Sequence, residues 1–361
     1  MLQIEVVTNL EDFKALRDSW NKLALEANLS VFQTWEWSWN WWKANSKGKK
    51  LCLLVIRDGD KIAGIAPFYI SSTYYGFPLK VVAFIGTNGT DYLDFIVNGN
   101  PDVSVALADF LLNSLKWDAI DLHQLPAGSP TIDVLSSRVL AAKLPYTQVC
   151  QDNCYNVTLP DNWDEYLAGL SKKFRWNVQY YTRRIARDYA VSYRLSSGKD
   201  VERDMELFFK LHQKRFINKK KPGAYLSPKF RKFHTDLATE LEKQGWLRLY
   251  IMEIDGRAIA AIYGFAFGDS FYYYLGGFEP DWGNVSVSTV LIGRAIEDSI
   301  AEGLHNFNFL RGDEPYKLKW RAQESPNLRF TISRSGIKSG LVQKMFTLEN
   351  DLTKRVKEKL G

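Results

Sequence analysis

The chain is sparing with the side chains that hold metals and covalent cross-links. Its 361 residues include three cysteines (Cys52, Cys150, Cys154) and four histidines (His123, His212, His234, His305). Three thiols cannot build a disulfide framework, and they suit a reducing compartment. The histidines have no ligand spacing to one another or to the cysteines, so no metal is expected. No apolar run reaches the roughly 20 residues that would span a bilayer. The opening, Met1 to Phe13, has neither a basic nor an apolar leader segment. A secretory signal is therefore not expected, and the cytoplasm is the expected location. Carboxylates are missing from residues 171 to 187, a stretch that carries Lys172, Lys173, Arg175, Arg183, Arg184 and Arg187.

What is present is globular. An apolar share of 46% with 24% charge excludes a disordered chain. The length favours two domains, each with a core of its own. A net charge of +6 suits an anionic small ligand or a visit to a membrane surface without demanding nucleic acid. Rings are plentiful, and most belong in cores. The densest run is Trp35 to Trp42, where Trp35, Trp39 and Trp42 share a helical stripe. The alternation of Trp35, Trp37, Trp39 and Trp41 would also fit a strand; the flanking residues favour a helix. Core packing is a better account of this run than a sugar platform.

Periodicity then gives an element order. Helix is predicted over 11–27, strands over 51–56 and 62–70 around an Asp58-Gly59 turn, and strands over 81–85 and 92–97. A helix over 102–116, a strand over 119–125, a helix over 130–143 and a strand over 146–159 complete the first half. The second half has helices at 163–188, 201–217 and 228–243 and a strand at 191–195. A hairpin follows, 247–254 and 258–267, around Asp255-Gly256. Strands at 271–275, 307–310 and 328–333 and a helix at 289–302 close it. The hairpins align at one constant offset, 255 − 58 = 197, and the surrounding order agrees. The fold class is thus α/β, a duplication of mixed sheets flanked by helices. The expected domains are 1–155, 156–340 and a C-terminal helix, 341–361.

Two segments could carry chemistry. The strand from Phe271 ends in Gly276-Gly277, followed by a polar loop through Asn284 and Ser286 and a helix opening at Ser288 or Thr289. Such a unit aims free amides and a helix dipole at one spot, which suits an anion. Its plainer reading is an N-cap and a bulge. The strand at 306–310 runs into Arg311, Asp313, Glu314, Tyr316 and Lys317. Loops after parallel strands collect ligands, and carboxylate and phenol can move protons. Its plainer reading is a charged turn. His212 and His305 are candidate bases, more often packed or capping residues.

The string Phe309-Leu310-Arg311-Gly312-Asp313-Glu314-Pro315-Tyr316-Lys317-Leu318-Lys319-Trp320, with Tyr274 to Phe278, resembles the CelD-like branch of the GNAT acyltransferases. Further marks are Leu170 to Arg175 with Arg183-Arg184, Leu211 to Phe216, and Asp91 to Phe95. The resemblance covers essentially the whole chain. It implies two tandem GNAT-like domains, as in the related Fem-type aminoacyl transferases, with the first serving as scaffold or substrate side. It implies an acyl-CoA co-substrate, expected to be acetyl-CoA, and no metal. The thioester would lie near Gly276 and Gly277, with its pyrophosphate at Asn284, Ser286, Ser288 and Thr289. Asp313, then Glu314, would take the amine proton; Tyr316 would act as acid or orienting group; Lys317 and Arg311 would hold an anionic part of the substrate. His212, Tyr274 and Trp320 would line the substrate side. The acceptor would be a small amine such as an amino sugar, carried as a nucleotide sugar or lipid-linked sugar in polysaccharide biosynthesis, with peripheral membrane contact allowed. The family's phosphate signature R/Q-x-x-G-x-G/A is absent, and Ser286-Val287-Ser288 stands where Ser-Pro-Gly is common. The rival expectations are a Fem-like transferase using aminoacyl-tRNA on a peptidoglycan precursor and an inactive GNAT pair that only binds. Nucleic acid is otherwise not expected, since no RNA module surrounds the basic stretch.

Overall fold

The computed structural model describes residues 2–218, 227–334, 340 and 342–349. They fall into two units, Met1–Asp152 with Pro326–Gly361, and Asn153–Ser325.

The first unit opens with β1 (Leu2–Val7), α1 (Leu10–Ala15), α2 (Arg17–Glu26) and α3 (Trp35–Asn45). The tryptophan run is helical because Thr34 caps it, accepting from the Trp37 amide. Trp35, Trp37, Trp41 and Trp42 are buried, and Trp35 stacks on Trp39 at 5.1 Å. The hairpin β2 (Lys49–Asp58) and β3 (Lys61–Ser71) follows, then β4 (Val81–Phe84), β5 (Ile96–Val97), α4 (Pro101–Asn113), β6 (Ala119–Pro126), α5 (Pro130–Ala141) and β7 (Tyr146–Thr158). The strand expected over 92–97 shrinks to β5, because most of that segment is an irregular loop. Alternation of side chains sorts the faces: Phe68 points into the core under α4 and α5, whereas its neighbour Tyr69 stacks on Trp41 of α3.

The second unit takes up the C-terminal half of β7 and continues with α6 (Trp163–Gly169), α7 (Lys172–Asp188), β8 (Val191–Leu195), α8 (Val201–Asn218), α9 (Pro228–Lys243), β9 (Leu247–Ile254) and β10 (Arg257–Phe267). Then come β11 (Ser270–Phe278), α10 (Val287–Ala301), β12 (Asn306–Arg311) and α11 (Tyr316–Lys319); β13 (Gln323–Ser333) starts here and from Pro326 onward belongs to the first unit. The single helix expected at 163–188 is two, because Leu170 is extended and Ser171 caps a new start. The expected polar loop after Gly277 is different too. The strand continues to Phe278, and Pro280–Val285 forms a 3-10 turn.

Both units share one connectivity. The orders β1-β2-β3-β4-β6 and β8-β9-β10-β11-β12 are each antiparallel until the last pair, which is parallel. The parallel pair needs a crossover, supplied by α4 in one unit and α10 in the other. The sixth strand is exchanged between the halves of the chain. β13, from the end of the second half, pairs with β6, and β7, from the end of the first, pairs with β12. Of the expected terminal helix 341–361, residues 342–349 are helical, and Val342 and Phe346 pack against Leu79 and Val81. Residues 341 and 350–361 lie outside the described residues.

In the second unit, α7 and α10 cover one sheet face with Val178, Ile185, Val290, Leu291 and Ile296. On the other face α8 lies so close that a Cβ on Gly277 would sit 2.4 Å from the His212 amide nitrogen.

Candidate active site

The parallel strands β11 and β12 are paired only at Ser270–Asn306, Phe271–Phe307 and Tyr272–Asn308. Beyond that point each stays paired with its other neighbour alone. Residues Tyr273 to Phe278 pair with β10, and Leu310 and Arg311 pair with β7. A bulge marks each departure. One residue, Tyr274, is extra against Tyr263/Gly264, and one, Phe309, is extra between Asn308 and Leu310. A bulge bends its strand and sharpens the twist, so matched bulges just past the last shared pair open a fork. The constant register, 306 − 270 = 36, carries Gly277 to position 313. The end of β11 and the start of the acidic loop thus lie equally far past the split.

The fork is furnished with rings. Tyr273 and Phe309 lie 5.7 Å apart, and Phe309 meets Tyr316 edge-on at 6.0 Å. A Cβ on Gly276 would stand 2.3 Å from the Tyr273 hydroxyl, so this phenol covers one side of the glycine. Gly277 is glycine because helix α8 leaves it no room.

The loop after β12 is held from below. Leu310 has φ 58°, a disfavoured value for a leucine, and Gly312 φ 111°, which glycine adopts freely. The Leu310 amide donates to the Asn308 side chain at 2.8 Å. The buried Lys317 ammonium donates to the carbonyls of Leu310 (3.1 Å), Arg311 (2.8 Å) and Gly312 (2.8 Å). It also meets the exposed Glu314 carboxylate at 3.0 Å. Lys317 therefore fixes the loop and is not placed to hold an anionic substrate. Asp313 is exposed at the tip and accepts a hydrogen bond from the Tyr155 hydroxyl at 3.0 Å. Burial first, and then the Asp313 bond and charge, push the Tyr155 phenol up to about 12, so it stays protonated and donates.

At the other arm, α10 begins with Ser286 in the left-handed region, φ 55°, which gives no side-chain cap. The opening amides of Val287, Ser288 and Thr289 are those that helix geometry leaves without an internal partner. Asn284 is exposed in the 3-10 turn, which is anchored by Trp282 against Tyr189 at 4.9 Å.

The remaining expected residues lie elsewhere. Trp320 is buried in the core, edge-on to Phe174 at 4.8 Å, and its carbonyl accepts from Tyr166. His212 is buried beside Phe208 on the α8 face. Tyr274 is half-buried on that same face, near His234 at 5.3 Å and Tyr263 at 5.6 Å. The structure thus gathers Arg311, Asp313, Glu314, Tyr316 and Lys317 in one loop, keeps His212 and Tyr274 on the helical face behind β11, and withdraws Trp320. Sequence reasoning missed Tyr155 and Asn308. Nothing in the sequence couples Tyr155 to Asp313, 158 positions away; only the β7–β12 pairing does.

The first unit has a fork of its own that its own chain fills. β4 and β6 pair only at Val81–Ala119 and Val82–Ile120. The chain then turns at Gly86, and the Leu93 amide donates to the Gln124 carbonyl. Trp37 donates to Thr90, and Asn327 to the Asp91 carbonyl, which pins this segment.

Residues 172–318 match the family model described as Acetyltransferase (GNAT) domain. Those residues, in the second unit, have the GNAT fold. Among solved structures, it is similar to FemX at 11% identity, with a TM-score of 0.67 over 96% of this chain and 100% of that one. A conserved protein of unknown function from Bacteroides thetaiotaomicron gives 12% identity and a TM-score of 0.59 over 92% and 100%. L-PGS from Bacillus licheniformis gives 10% identity and a TM-score of 0.55 over 94% and 96%. No curated protein matches the chain in sequence. These likenesses carry the fold. Among the described residues there is no group of histidine, cysteine and carboxylate side chains that could hold a metal ion. No helix among them is long and apolar enough to cross a membrane.

Proposed function

We propose that the chain is a CelD-like N-acyltransferase that moves an acyl group, acetyl in the simplest case, from CoA to an amine, the acceptor being an amino sugar used in polysaccharide biosynthesis. The observation that carries this reading is the fork between β11 and β12 with Asp313 at its mouth. In it the acceptor amine attacks the thioester carbonyl. A β11 amide beyond Tyr272 faces the oxyanion. Asp313, oriented by Tyr155, takes the proton from the attacking nitrogen as the C–N bond forms. The C–S bond then breaks, and Tyr316 protonates the departing thiolate. Pyrophosphate would meet the amides of Val287, Ser288 and Thr289 at the start of α10. The other fork being filled by residues 86–93, one acyl carrier per chain is expected.

A second reading, a Fem-like transferase that takes its acyl group from aminoacyl-tRNA, draws on the likeness to FemX along 96% of the chain. It also draws on the unusual entry to α10 at Ser286. Thermal unfolding separates the two, because a ligand that binds only the native state raises its midpoint. Acetyl-CoA or a longer acyl-CoA should stabilise the chain, and Asp313→Asn should keep that shift while losing turnover. Stabilisation by aminoacyl-tRNA alone would put the second reading in place of the first. Stabilisation without turnover on any amine would leave a binding module.

A further inference from the structure

Helix α7 carries a row of side chains that the acyl-transfer site does not use. Its inner face is Val178 and Ile185, both buried. On the outer side, Lys172, Trp176, Tyr180, Arg183 and Arg187 recur at spacings of three and four, so they share one stripe. Trp176 is 54% exposed, unusual for so large a ring. It stacks on Tyr180 with centroids 4.6 Å apart and planes 10° from parallel. Lys173 and Arg184 flank the stripe. The helix holds six cations (Lys172, Lys173, Arg175, Arg183, Arg184, Arg187) and one carboxylate, Asp188. Asp188 is shared by Arg184 at 3.6 Å and Arg187 at 2.7 Å. Among the described residues, Lys172, Lys173 and Arg183 have no ion-pair partner.

We infer that the outer face of α7 is a docking surface for an anionic lipid bilayer. The charge is overwhelmingly positive, six cations against Asp188, and strung along about four turns, which matches a sheet of phosphates. The aromatic pair sits in the middle of the cations. Trp and Tyr, with an apolar body and a polar tip, favour the headgroup level of a membrane. Basic side chains at the level of the phosphates, with Trp and Tyr rings among them, are what a contact with a membrane surface requires. A single-stranded nucleic acid would instead want a charged groove with open ring faces for its bases. Here the inner faces of the two rings are taken up by their own stack. The assignment is independent of the identity of the acyl carrier. It would bring the catalytic unit to a surface where a lipid-linked acceptor is concentrated.

The test is co-sedimentation of the full chain with two vesicle types: phosphatidylcholine alone, and equal parts phosphatidylcholine and phosphatidylglycerol. Binding is expected to the mixed vesicles, to be weak on the neutral ones, and to fall away near 1 M salt, where screening acts within about 3 Å. Lys172→Glu, Lys173→Glu and Arg183→Glu should each weaken it about fivefold or more. Trp176→Ala should weaken it at unchanged charge. Lys199→Glu, an exposed cation outside α7, is the control and should have little effect. All these sites are exposed, so circular dichroism should find the variants folded. Three outcomes overturn the proposal: no binding to the mixed vesicles, a loss with Lys199→Glu equal to that with Arg183→Glu, or tight RNA binding that Arg183→Glu abolishes while vesicles are ignored. The last would also favour the aminoacyl-tRNA reading of the active site. Loss of vesicle binding with intact acyl transfer would leave the catalytic proposal standing.

Discussion

Single side chains divide the acidic loop into parts that react and parts that hold. Asp313 stands exposed with one donor, Tyr155, behind it. Removing its negative charge should lower kcat by roughly a hundredfold or more, the contribution typical of a positioned proton acceptor. Tyr155→Phe should cost roughly tenfold, the worth of one hydrogen bond to a charged group, and should alter the pH–rate profile while leaving the fold intact. Steady-state kinetics of the two variants tests both. Lys317 does the opposite work. Its buried ammonium ties three successive carbonyls of the turn together. Lys317→Met should therefore destabilise the protein by about 2–4 kcal/mol in urea unfolding. Lys317→Arg should not restore it, since a planar guanidinium cannot occupy the site of a compact three-donor ion.

Among the elements, the paired bulges of β11 and β12 and the approach of α8 shape the site. Both Gly276 and Gly277 read in the sequence as room for a ligand. The structure separates them. Alanine at 277 would drive its Cβ into the α8 backbone at 2.4 Å from the His212 nitrogen, whereas alanine at 276 would clash with the far end of Tyr273 and meet backbone, the Ala261 carbonyl, only at 3.7 Å. Gly277→Ala should cost about 2 kcal/mol or more, the penalty of overpacking against main chain. Gly276→Ala should cost less, because a phenol can swing away. Differential scanning calorimetry checks the order. Equal, small effects on stability with loss of acyl-CoA binding at both positions would restore the ligand-room account.

At the scale of the whole molecule, two desolvated titrating groups give stability opposite slopes with pH. Asp94 is desolvated in the first unit, and although Ser129, Thr131 and the Phe95 amide donate to it, its carboxyl is raised from 3.8 to about 6. The native chain keeps a proton there that the unfolded chain releases. This contribution is present below the unfolded value and is lost as pH rises through about 6, roughly 2–3 kcal/mol in all. His234, in the second unit, is lowered to about 3 by burial and then by the neighbouring His212. The unfolded chain gains a proton below pH 6.5 that the native chain refuses, so stability is lost as pH falls toward 3. Asp94→Asn should flatten the first slope and His234→Phe the second, read from urea midpoints across pH 4 to 8.

Local chemistry let the sequence determine the elements and their order: the Asp-Gly hairpins, the capped helices, the duplicated run of strands and the burial of the tryptophan helix. Each depends on residues a few positions apart, where turn preference and side-chain period act directly. The acidic loop was legible as a cluster for the same reason, since its members lie within seven positions. Tertiary structure alone decided what that cluster does. Tyr155 reaches Asp313 only because β7 pairs with β12; Lys317 turns inward onto three loop carbonyls; Trp320 packs in the core against Phe174 and beside Gly293. The exchange of β7 and β13 was invisible in the chain, because which edge a strand joins is fixed by distant hydrogen-bonding partners that leave no local trace.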